Sequence, residues 1–311
     1  MRKFWNQLFL AAVLLMIFFS LTGCNQPRDF NITPTNDGSE SVATDIFMEA
    51  TQTQTVKTQT ATAVPLALTV NGVGYPLAEF TNDLMRFMMV HADMDPQEAF
   101  SQLTNDLSEQ LLLQQAAVKN GFLITEDQVD QRINNLANEV GGRENLDNWI
   151  SNNYYSESSF RVALIREIAI AYQKEIILEE IPDEIDQVEL YQILVYDDGT
   201  AKQIAQALEE GSDFFWLAEQ YHPATLGYIG WNPKGAMLPP EMEETAFQME
   251  SGTYSEIIQT DFGYHIIYVN AHESHEISLE NLRFLQESAL QNWMEDQKQS
   301  ANIEIFATYD Q

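Results

Sequence analysis

The apolar period of this chain changes once and then changes back. From Leu84 to Ala171 apolar residues recur three or four positions apart; from Gln187 they tend to alternate, and from Leu279 the helical spacing returns. A period near 3.6 buries one face of a helix, whereas a period of 2 buries one face of a sheet. The chain therefore reads as α+β: a small domain over residues 184–275, inserted between an N-terminal helical part (66–183) and a C-terminal helix and strand (276–311). The amphipathic segment from Leu279, with Leu282, Leu285, Leu290 and Trp293, has too much apolar surface to stand alone. The N-terminal helices are its expected dock.

Local signals fill in these blocks. Leu68 and Val70 before Asn71-Gly72 predict a strand and a turn. Leu84, Phe87 and Met88 share one helical face, and Leu103, Leu107 and Leu111 another. Thr125 with Gln128 has capping-box spacing, followed by the stripe Val129, Ile133, Leu136 and Val140 that Gly141-Gly142 ends. Trp149 and Ile150 fall in a short helix, and Phe160, Leu164, Ile168 and Ala171 in a long one closed by Pro182. The inserted segment reads β-α-α-β-α-β-β.

The front end has a different character. Arg2 and Lys3 precede an apolar run from Leu8 to Leu21, which ends in Leu-Thr-Gly-Cys at Cys24. This charge order and run length suit an export signal. The last four residues resemble a lipobox, which implies that residues 1–23 are removed and Cys24 is acylated. A short N-terminal membrane helix is the other reading, although the run falls short of the ~20 residues a span needs. Residues 24–65, with "TQTQTVKTQTATAV", have no period that could bury a face and are expected to be a disordered tether. Cys24 is the only cysteine, so a lipidated chain would hold no disulfide. The formal charge of −32 makes the chain a poor ligand for nucleic acid, so membrane attachment would rest on the lipid.

Five ordered blocks in the insert are "QILV" (192–195), "DFFWLAEQY" (213–221), "GYIGW" (227–231), "PKGAMLPPEMEETAF" (233–247) and "TDFGYHIIYV" (260–269). In this order they resemble the parvulin family of peptidyl-prolyl isomerases. With the lipobox and helical arms, the whole resembles extracytoplasmic foldase lipoproteins of the PrsA/SurA type. The resemblance implies isomerisation of Xaa-Pro bonds in unfolded or partly folded exported polypeptides. It implies a site around His265 and Gln192, a proline pocket of Ile229, Met237, Met242 and Phe247, and no cofactor. Gln192 stands where the family usually has a first histidine, Ala224 where it has Cys or Asp, and Tyr228 where it has Asp. His222, two residues before Ala224, either enters the site or is a solvated loop histidine.

Two readings stay open: an isomerase, or a non-catalytic holdase chaperone with a degenerate parvulin domain. Methionines 85, 88, 89 and 94 suit promiscuous apolar binding, or are helix core. His91, His272 and His275 lack metal-ligand spacing, so no metal is expected.

Overall fold

The computed structural model describes residues 32–34, 64–236 and 238–309. The candidate lipid acceptor Cys24, the signal segment and Met237 lie outside them. The chain divides into two compact units: residues up to Lys174 with those from Met294 on, and Glu175–Trp293 between them.

In the first unit, β2 (Leu66–Val70) and β3 (Val73–Pro76) form a hairpin. Asn71 and Gly72 turn it with φ of 52° and 79°, the left-handed pair that a two-residue hairpin turn needs. The C-terminal β9 (Ile303–Ile305) adds on β2, giving the order β3-β2-β9. The Asn71 side chain fixes this closure by accepting from the Asn302 N–H at 2.9 Å. A short strand at Ile32–Pro34 (β1), inside the segment expected to be a tether, pairs with β10 (Ala307–Tyr309). Pairing with an existing strand requires no apolar period, so composition gave no sign of it.

Five helices follow the hairpin: α1 (Leu77–Val90), α2 (Pro96–Lys119), α3 (Glu126–Glu139), α4 (Arg143–Asn152) and α5 (Glu157–Glu179). Asp95 caps α2 by accepting from the Gln97 and Glu98 amides, with Pro96 at the first helical position. The capping box of α3 is formed as the spacing predicts, by Thr125 and Gln128. Phe80, Leu84 and Leu107 join Leu68 in one core, with Met88 and Met94 packed at its edge. Val129, Ile133, Leu146 and Phe160 form another.

The second unit is built on a long antiparallel ribbon. β4 (Glu184–Val195) pairs with β8 (Gly263–Glu276) along its whole length. β5 (Tyr228–Pro233) lies outside β4, and β6 (Thr253–Tyr254) and β7 (Ile258–Thr260) pair with β8. Helices α6 (Asp198–Glu209) and α7 (Phe214–Tyr221) cover Ile193, Val195 and Ile266 on one face. On the other, α8 (Pro240–Gln248) covers Val188, Leu190, Ile267 and Val269. The order β-α-α-β-α-β-β-β follows the α+β reading, with one additional two-residue strand. The last helix, α9 (Leu279–Ser300), starts in this unit and ends in the other.

The register also aligns four tyrosines. Tyr254, Tyr268, Tyr191 and Tyr228 are successive cross-strand partners and so share the α7 face. Phe215 of α7 packs edge-on to Tyr191 and Tyr268, each at 5.0 Å between ring centroids.

Candidate functional site

His265 stands on β8 with Ile267 and Val269 at the next alternate positions, so it faces the α8 side of the sheet. Its cross-strand partners are Leu194 on β4 and Ile258 on β7. Only 4 % of its surface is exposed. Both ring nitrogens are engaged: Nδ1 lies 2.9 Å from Gln192 Oε1, and Nε2 lies 2.8 Å from Thr260 Oγ1. The amide oxygen only accepts, which assigns the ring hydrogen to Nδ1 and leaves Nε2 to accept from the threonine hydroxyl. Thr260 Oγ1 in turn accepts from the Phe262 N–H at 3.1 Å. The ring thus sits in the middle of a short hydrogen-bonded chain that runs from Gln192 through Thr260 to the Phe262 N–H.

Burial pushes the His265 pKa below its ordinary value. A histidine depressed in the folded state stays neutral while the unfolded chain takes up a proton. Its contribution is therefore complete above the unfolded pKa of ~6.5 and is lost as pH falls toward the folded value. Thermal midpoints measured between pH 8 and pH 5 should fall more steeply for the native chain than for His265→Gln. Equal slopes would contradict the buried neutral ring.

The predicted partner Gln192 reaches His265 from β4, and its position is fixed from behind. The Gln192 N–H donates to Gly227 O at 2.7 Å, and the Leu194 N–H donates to His222 Nε2 at 3.0 Å. The sheet edge beyond β5 is thus completed by one loop carbonyl and one imidazole. His222 is therefore neither free in solvent nor bonded to His265; it caps a strand. Ala224 is exposed in the same turn.

The predicted pocket residues that can be placed converge on the α8 side. Met242 is only 2 % exposed and sits among Val188, Leu190 and Ile267; Ile229 and Phe247 pack against that cluster from its margin. Phe247 also meets the His272 ring edge-on at 5.4 Å. Thr260 is a site residue that sequence reasoning missed. Its one signal is the tight "TDFG" turn, which brings position 260 back beside position 265.

Comparison with known proteins matches residues 198–271 to the family described as Rotamase, PPIC-type PPIASE domain. The chain is 26 % identical over 190 residues to the foldase protein PrsA of Oceanobacillus iheyensis, covering 56 % of this chain and 63 % of that protein. A shorter stretch of 102 residues is 40 % identical to the foldase protein PrsA of Halalkalibacterium halodurans, covering 31 % of this chain and 30 % of the other. The matches thus span less than two thirds of these curated relatives. The crystal structure of the peptidylprolyl isomerase PrsA from Bacillus cereus aligns with a TM-score of 0.40 at 20 % identity, over 73 % of this chain and 83 % of that one. Residues 198–271 thus match a parvulin-type domain, and part of the chain is similar to PrsA foldases.

Proposed function

From a PPIC-type rotamase domain set within a PrsA-like chain, we infer a foldase that isomerises Xaa-Pro bonds in exported polypeptides. The observation that carries this is the pairing of Gln192 and His265, a neutral imidazole fixed on an apolar sheet face that also bears Ile229 and is covered by Met242 and Phe247 of α8. Rotation about Xaa-Pro meets a barrier of ~20 kcal/mol, relaxes in tens of seconds and needs no covalent step. The planar amide is more polar than the twisted one, so a dry wall that strips water from it favours the twist. Ile229 and Phe247 would hold the proline ring. The neutral His265 adds no charge that would hold the planar form, and its engaged nitrogens keep that part of the wall rigid. The place of Cys or Asp is taken by the exposed Ala224, so this chemistry proceeds without a central charge.

The holdase reading has one observation of its own. Met89 and Val90 at the end of α1 are 49 % and 59 % exposed, an apolar pair suited to transient contact with unfolded chain. Refolding of a client limited by proline isomerisation separates the two. An isomerase shortens the slow phase at substoichiometric amounts; a holdase suppresses aggregation without shortening it. We place the protein on the outer face of the cell membrane through a lipid on Cys24. The Leu-Thr-Gly-Cys sequence supports this, and Cys24→Ser should release the protein from membranes.

A further inference from the structure

A cleft of about 670 Å³ opens beside β5, the edge strand of the sheet, and the start of α9. Its flattest wall is Trp231 stacked on His275, with ring centroids 4.0 Å apart and planes 13° from parallel. The Asn281 amide donates to Trp231 O at 2.8 Å and ties the first turn of α9 to the edge strand. Ile229 and Leu238 line the cleft and also pack on the Met242 cluster, so the cleft continues from the candidate proline pocket. At the same end Tyr228 leads into the tyrosine row. Glu276 and Glu280 line the cleft and are exposed, and the described lining residues include no lysine or arginine.

We propose that this cleft is a second subsite for the client polypeptide, taking an extended basic segment that flanks the proline. The proposal rests on the isomerase reading only for what occupies the neighbouring pocket. Lysine or arginine stems lie well on an indole face, with the cationic head toward carboxylates. An edge strand is a common place for an extended peptide to align. The occupant is the client and not a nucleic acid or lipid surface, because the cleft combines carboxylates with aromatic walls on a chain of charge −32.

The test uses the full chain and two peptides with the same Xaa-Pro core, one flanked by three lysines and the other by three serines. Affinity is measured by calorimetry, and contact by hydrogen exchange at residues 228–232 and 275–281. The lysine peptide should bind about threefold to tenfold tighter, the scale of two exposed ion pairs. It should protect both segments, and its advantage should vanish in Glu276→Gln/Glu280→Gln and at about 1 M salt. Equal affinity for the two peptides overturns the proposal. So does a lysine preference that survives the double substitution, which would reflect only the overall acidity of the chain. Cis/trans exchange in the serine peptide is read in the same samples. Its absence would sink the isomerase reading, while the lysine preference would still decide the subsite.

Discussion

Gly227→Ala is expected to be among the most damaging substitutions in the inserted unit. Gly227 has φ of +79°, and a Cβ there would lie 2.2 Å from Gln192 O. The left-handed backbone alone costs a non-glycine residue about 1–2 kcal/mol. The overlap is with backbone, so no rotamer change relieves it. The turn must lift off β4, which breaks the hydrogen bond from the Gln192 N–H to Gly227 O and pulls at the His222 cap of Leu194. Together these effects should cost about 3–5 kcal/mol. Calorimetry should show the unit's melting transition lowered by roughly 10–20 °C. A fall of less than about 3 °C would contradict the close packing of this turn.

The second large effect is expected in the other unit, from Asp83→Ala. Asp83 is 8 % exposed on α1 and pairs with Arg86 one turn later. It also accepts from the Tyr75 hydroxyl, which in turn accepts from Arg166 Nη1 at 3.0 Å. Arg166, on α5, is 7 % exposed. Burial pushes the Tyr75 phenol well above its ordinary pKa, so it supplies a neutral bridge and no counter-charge. Arg86 also donates to the carbonyls of Asn153 and Tyr154 and lies 3.7 Å over the Tyr155 ring. Deleting the carboxylate would leave the shielded Arg86 guanidinium without its paired anion and the Tyr75 hydroxyl without its acceptor, a change that costs about 3–5 kcal/mol. Denaturant unfolding checks it. A loss below about 1 kcal/mol would show that solvent takes over the role of Asp83.

The two sites differ in how much of them could be read in the sequence. Thr125 and Gln128 are three residues apart, so their capping box is a local fact and visible. The helices of the first unit announce themselves because each buries one face. The Asp83 network was hidden, since Tyr75, Asp83, Arg86 and Arg166 come together only after β3, α1 and α5 have packed. The ends of the β4–β8 ribbon were hidden too. Glu184–Asp186 and His272–Glu276 lack apolar alternation, and pairing between strands makes them extended. Gln192 and His265 were legible as a pair through the parvulin resemblance. Thr260 was not, because its contact with His265 follows from how the β7–β8 turn closes. His222 shows the same limit: a loop histidine reads as solvated until the strand edge it caps is in place.

Isomerase activity at the Gln192–His265 site is the central claim. Its most direct test is a protease-free measurement of cis/trans exchange in a proline peptide, with the full chain at catalytic amounts. The native chain should raise the exchange rate at least about tenfold over the uncatalysed tens of seconds. Ile229→Asp, which places a charge in the apolar wall, should abolish the gain while the chain remains folded. A native rate indistinguishable from buffer, restored by Gln192→His with Ala224→Asp, would contradict the claim and leave a parvulin fold without its catalysis.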